Sequence, residues 1–161
     1  MADALGSYRK KRNFGKTSEP AGSVPTETGS RFVIHRHSAT APHYDLRLEH
    51  NGVLLSWAVP KGPSLNPADK RLAVHTEDHP VEYIDFEGVI PEGEYGGGPM
   101  IVWDTGTWAP MSDPDEALKT GDFKFRLWGE KLRGGWMLAR LKPKPGDNGK
   151  DSWLFFKEHD Q

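Results

Sequence analysis

From His43 to Glu49 (HYDLRLE) polar and apolar residues alternate with the period of a β-strand. Residues two apart on a strand share a face, so His43, Asp45, Arg47 and Glu49 fall on one side and Tyr44, Leu46 and Leu48 on the other. One face can hold a metal and an anion while the other packs a core. Asn51-Gly52 follows, then the apolar run Val53 to Val59. An Asn-Gly pair between two strand-like runs predicts a hairpin, because the tight primed turn needs φ > 0 at both central residues.

The rest of the chain reads as short strands and turns. Phe32 to His37 is a strand and Ser38 to Pro42 a loop. Pro60 to Pro67 is a connector in which Pro60, Pro63 and Pro67 rule out regular pairing. Arg71 to Thr76 alternates again, and Thr76 to Pro80 forms a polar corner holding His79. In Gly88 to Pro99 the glycines suit tight turns or a bulge, and no Gly-Lys-Ser/Thr follows that would make a phosphate loop. Met100 to Asp104 and Thr107-Trp108 read as strands around a turn at Thr105-Gly106. Ser112 to Gly121 is the one clear helix, with Asp113 as cap, Pro114 in the first turn and Gly121 as stop. Phe123, Phe125 and Leu127 alternate with Lys124 and Arg126. Trp136 to Leu141 and Ser152 to Lys157 are the last strands. The pattern is mainly β and indicates a closed or sandwiched antiparallel fold.

Residues 1–30 differ in kind. They are polar and carry Arg9, Lys10, Lys11, Arg12 and Lys16. The favoured reading is a flexible, solvated arm, with Tyr8 and Phe14 as its only docking features. The competing reading is an arm that orders against nucleic-acid phosphates. The expected division is an arm over 1–30 and a folded domain over 31–161.

Composition narrows the chemistry. With no cysteine among 161 residues, thiol nucleophiles and thiolate metal sites are excluded. Any metal must be held by His, Asp, Glu or backbone oxygen. No apolar run reaches a membrane span and the N-terminus lacks a secretory core, so the chain is expected to be cytoplasmic and away from membranes. A formal net charge of −2 excludes a globally basic nucleic-acid protein but leaves room for a local basic site.

Two constellations stand out. His37, His43 and Asp45 suit a borderline divalent cation such as Mn²⁺, Zn²⁺ or Fe²⁺, and three protein ligands leave positions open for water and substrate. Arg47, Lys61, Arg71 and His79 supply cations, or a proton in the case of His79. His35 shares a face with His37 and is a candidate further ligand, with a solvent-facing role the favoured reading. His50 and His159 are read as surface residues. The six tryptophans are read mainly as core, with a base-stacking role open for one or two.

HYDLRLE, SWAVPKGPS, KRLAVHTEDHP and FEGVIPEGEYG occur in this order. Together they closely resemble the 3′-phosphoesterase domain of bacterial DNA ligase D and its stand-alone bacterial and archaeal forms. The resemblance runs from about Tyr8 to the C-terminus, and no polymerase or ligase segment accompanies it. It implies a compact closed antiparallel β-barrel of about eight strands with one or two short helices. It also implies Mn²⁺-dependent trimming of nucleic-acid 3′ ends in end joining, with Zn²⁺, Co²⁺ or another divalent cation able to take the place of Mn²⁺. A terminal ribonucleoside is removed to leave a 3′-phosphate, which is then hydrolysed to a 3′-OH. His37, His43 and Asp45 match the family's metal ligands, and Arg47 and His79 its phosphate-site residues. Lys61, Arg71 and Tyr83 match residues near the bound phosphate. Arg12 and Glu19 match the segment on which the diesterase step relies, and Asn13 stands where the family usually has Asp. The implied partners are 3′ ends of DNA or DNA/RNA primer-templates, together with separate ligase, polymerase and end-binding proteins, and the chain is expected to act as a monomer. Two alternatives remain: a 3′-end-binding module with weak catalysis, and a small-molecule metal hydrolase or oxygenase sharing only the two-His, one-carboxylate set.

Overall fold

The alternation in HYDLRLE becomes β2 (His43–His50), which pairs antiparallel with β1 (Arg31–His37) on one side and β3 (Val53–Val59) on the other. Asn51 and Gly52 both have positive φ, 51° and 82°, as the tight hairpin turn requires. The computed structural model describes residues 5–12, 14, 19, 30–38, 42–90, 98–146 and 149–159. The other strands are β4 (Arg71–Pro80), β5 (Gly88–Ile90), β6 (Gly98–Pro110), β7 (Asp122–Gly129), β8 (Arg133–Arg140) and β9 (Asp151–Lys157). They pair in the order β1-β2-β3-β4-β9-β8-β7-β6, and β6 returns to β1. This closes an eight-stranded antiparallel barrel, with β5 as an extra strand on β6.

Closure leaves an apolar interior and a wall with an outer face. Phe32, Ile34, Leu46, Leu48, Trp57, Phe125, Trp136, Trp153 and Phe155 fill the interior. Truncating any one of the buried aromatic residues to alanine would cost on the order of 3–5 kcal/mol. Residues of opposite parity, Val33 and Leu54, join a second, smaller cluster on the outside of the wall. Tyr8, Tyr83, Ile84, Ile90 and Met100 complete it. The covering pieces are α1 (Gly6–Lys10), a 3-10 turn over Val81–Asp85, β5 and the start of β6.

Three local expectations differ from the structure. β4 continues through Thr76–Pro80 instead of ending at a corner, because a bulge against Leu54 and Ser56 lets pairing resume at His79 and Pro80. β6 is continuous where a turn at Thr105-Gly106 was expected: Gly106 lies opposite Gly129, where the two backbones approach closely. Residues 5–12 are not a solvated arm, since Leu5 and Tyr8 are fully buried and Tyr8 packs edge-on against the rings of His79 and Tyr83. The helix expected at Ser112–Gly121 forms as α2 (Pro114–Thr120), with Asp113 accepting from the Asp115 N–H and Gly121 left-handed at its end. The glycine-rich stretch 91–97 and Asn13 lie outside the described residues.

Candidate active site

The outer face of β2 forms one wall of a cavity of about 210 Å³. His37, His43, Asp45, Arg47, Arg12, Glu19, Glu77, His79 and Tyr83 all line it. The parity of β2 puts Asp45 and Arg47 on this face, and both are buried with Glu49. Hairpin pairing brings His37 directly opposite His43. The two imidazoles and the Asp45 carboxylate offer donor atoms within 4.8 Å of one another. His43 Nε2 lies 3.2 Å from Asp45 Oδ1, and His37 Nδ1 lies 4.0 Å from Asp45 Oδ2. Burial alone would raise the Asp45 pKa, but the Arg47 guanidinium and the His43 hydrogen bond outweigh it and hold the carboxyl below its ordinary value. An ionised carboxylate with two imidazoles, close enough to share one ion, fits a divalent cation of borderline softness.

Arg47 does not pair with Glu49. Its Nη2 lies 3.3 Å from Asp45 Oδ2, and its Nε–H donates to His35 Nδ1 at 3.2 Å. Glu49 instead accepts from the backbone and guanidinium of Arg31. His35 is fully buried, not solvent-facing, and its Nε2–H donates to the Phe86 carbonyl. Burial and the neighbouring Arg47 charge push its pKa down to about 3.

His79 sits across the cavity. Its Nδ1 lies 2.9 Å from the Glu77 carbonyl, which only accepts, so Nδ1 carries the proton. Its Nε2 then accepts from Arg12 Nη2 at 3.3 Å. Burial and the charges of Arg47 and Arg12 hold this imidazole neutral, with its pKa far below the ordinary value. Arg12 is a hub: it also donates to Glu19, Glu77 and the Tyr8 carbonyl, and its guanidinium lies over the Tyr8 ring. Glu19 accepts from the Tyr83 hydroxyl at 2.7 Å, tying the N-terminal segment to the cavity wall.

These two histidines give a pH prediction. Unfolded, each takes a proton near pH 6.5; folded, both stay neutral at that pH. The unfolded chain therefore binds more protons as pH falls below about 6.5, and stability drops by up to about 1.4 kcal/mol per pH unit for each imidazole. Urea unfolding of the metal-free protein should show a lower midpoint at about pH 5.5 than at about pH 7.5, above the range where carboxylates titrate. An equal or higher midpoint at the lower pH would contradict this assignment.

Lys61 and Arg71 are not on this cavity. They line a second hollow of about 630 Å³ with Asp69, Lys70 and Leu72. Ala58, on the first cavity, pairs with Val74, and Arg71 has the opposite parity to Val74. Sequence reasoning missed Glu77, which pairs with Lys11 and Arg12 while almost fully covered. It also missed His35 as a partner of Arg47. For Glu77 only its place two residues before His79 was available. For His35, the spacing to His37 gave its face and nothing of its burial.

No helix among the described residues is long and apolar enough to cross a membrane. Residues 35–140 match the model of the DNA ligase D 3′-phosphoesterase domain. The chain is 50% identical over 160 residues to the multifunctional non-homologous end joining protein LigD of Pseudomonas aeruginosa, a match covering 97% of this chain and 19% of that protein. It is 46% identical over 156 residues to the multifunctional non-homologous end joining DNA repair protein LigD of Mycobacterium tuberculosis, covering 96% of this chain and 20% of that protein. For the LigD protein of Mycolicibacterium smegmatis the identity is 43% over 171 residues, covering 100% of this chain and 21% of the relative. The chain thus spans about a fifth of the length of the curated relatives it matches. The matched residues include His37, His43, Asp45, Arg47 and His79, and the chain belongs to the DNA ligase D 3′-phosphoesterase domain family.

Proposed function

We propose that this chain is a metal-dependent 3′-phosphoesterase that processes nucleic-acid 3′ ends for end joining. It would remove a terminal ribonucleoside and then the remaining 3′-phosphate. One observation carries the reading: a two-imidazole, one-carboxylate donor set stands beside a buried arginine on a single strand face, in a cavity shared with His79.

His37, His43 and Asp45 would hold the cation, with Mn²⁺ the first candidate. When bound it would supply Lewis acidity toward a phosphate oxygen and lower the pKa of a bound water. Arg47 is fixed through Nε and Nη2, and among the described residues nothing accepts from its Nη1. That donor is left for a phosphate oxygen, where it would offset charge developing on the phosphoryl group. His79 rests neutral with its lone pair on Nε2, so it meets the substrate as an acceptor. A phosphate anion beside it opposes the effect of Arg12 and Arg47 and favours the imidazolium, which can then donate to the ester or phosphoryl oxygen. Arg12 and Glu19 would contact the nucleoside side of a diester, a reading supported by their lining the cavity beside Tyr83. Lys61, Lys70 and Arg71, in their separate hollow, would receive backbone phosphates further along the strand.

The alternative is a 3′-end-binding module with weak catalysis, acting alongside separate ligase and polymerase proteins. The contact of Arg12 with His79 Nε2 is the observation that favours it. The deciding experiment offers duplexes ending in a 3′-phosphate or a 3′-ribonucleotide, and a free mononucleotide, with Mn²⁺, Zn²⁺ or Mg²⁺. Metal-dependent release from both duplexes, and little from the mononucleotide, is the expected result. Tight duplex binding without turnover under any of the cations would replace the enzyme reading with the binding module.

A further inference from the structure

We infer that His35 is a positioning residue for Arg47, holding the guanidinium plane so that one nitrogen is presented to phosphate; the inference rests on the phosphoesterase reading for its kinetic consequence only. The hydrogen-bond directions leave one assignment. The Phe86 carbonyl can only accept, and it lies 3.0 Å from His35 Nε2, so the proton of His35 is on Nε2. Nδ1 is then a bare acceptor, and Arg47 Nε–H donates to it at 3.2 Å. Among the described residues no other group accepts from that donor, and both residues are buried.

Arg47 is thereby constrained on three sides. Nε is held by His35, Nη2 by Asp45, and the guanidinium carbon stands 4.9 Å from the centre of the Tyr83 ring. The His35 ring is itself set edge-on to Tyr83, with centroids 5.6 Å apart. A planar fork pinned at two corners and against one face has its remaining edge fixed in direction, which a flexible cation would not. His35 touches no reacting group, so its effect passes through Arg47.

The requirement is an acceptor toward Arg47 and a donor toward Phe86. Glutamine meets both, through its amide oxygen and amide nitrogen, whereas leucine of similar size meets neither. In the full chain, His35→Leu is expected to lower kcat for 3′-phosphate release by about 10- to 100-fold, with a smaller change in KM. His35→Gln is expected to stay within about 3-fold of the unaltered protein, because the conservative variant restores both hydrogen bonds. Calorimetric titration with inorganic phosphate should show weaker binding for His35→Leu and recovery in His35→Gln. In ¹⁵N NMR of the unaltered protein, His35 should carry its proton on Nε2, and the Arg47 Nε–H should be protected from exchange.

A folded His35→Leu protein with unchanged kcat and phosphate affinity overturns the inference. So do equal losses in the leucine and glutamine variants, or a proton found on Nδ1. If His35→Leu does not fold, the NMR tautomer and the glutamine variant still decide it. Absence of turnover in the unaltered protein would instead overturn the phosphoesterase reading, leaving phosphate binding and the tautomer to judge His35.

Discussion

Alanine at His43 is expected to abolish metal-dependent release of 3′-phosphate, by more than about 100-fold, because even groups that merely orient a metal ligand cost about 10- to 100-fold when removed. His43 suits the test better than its neighbours. Its side chain is 24% exposed at the start of β2, so truncation leaves no deep cavity and no buried charge without a partner. Thermal unfolding should barely change, and titration with Mn²⁺ should show weakened binding. Alanine at Asp45 would confuse the two effects. Arg47 would lose its carboxylate in a buried site, and breaking such a pair costs about 3–5 kcal/mol in folding. A His43→Ala protein with full turnover would remove this residue from the donor set and with it the metal assignment.

The largest effect on folding is expected from Gly106→Ala. A Cβ at this position would stand 2.0 Å from the Trp128 carbonyl oxygen and 2.9 Å from the Gly129 Cα. Both obstacles are backbone atoms, so no side-chain rotation relieves them. Gly106 pairs with Phe32 on β1 and Gly129 on β7. Moving the chain there strains two ladders where β6 closes the barrel. A cost above about 4 kcal/mol is expected, a large part of the stability of a domain this size. Denaturant unfolding beside Thr107→Ala, an exposed neighbour expected to stay within about 0.5 kcal/mol, provides the check. An unchanged midpoint for Gly106→Ala would mean that β6 and β7 can separate freely there.

Gly106 also illustrates what reading the chain alone leaves ambiguous. Thr105-Gly106 has the composition of a turn, yet it lies inside a 13-residue strand. A glycine is required both where φ must be positive and where another backbone comes close, and only the pairing of distant strands distinguishes the two. Tyr8 is a similar case. Five basic residues between 9 and 16 outweigh one aromatic in composition, but that aromatic is buried in the apolar cluster on the barrel wall.

The alternation in HYDLRLE determined by itself which residues share a face, and Asn51-Gly52 determined the hairpin that pairs β2 with β3. Asp113, Pro114 and Gly121 likewise determined α2, because capping and positive φ depend on neighbours in sequence. Parity, however, says only that two faces differ. Whether the polar face looks into the barrel or out of it was decided by closure between β1 and β6, more than 60 residues apart. The bulge in β4 was decided the same way. Thr76 and His79 are three apart and would lie on opposite faces of a regular strand, but the extra residue brings both to the cavity. Burial of His35, the hub at Arg12 and the separation of Lys61 and Arg71 from the first cavity also follow from packing between distant segments. Local alternation put His43, Asp45 and Arg47 on one face, and strand pairing decided which groups stand beside them.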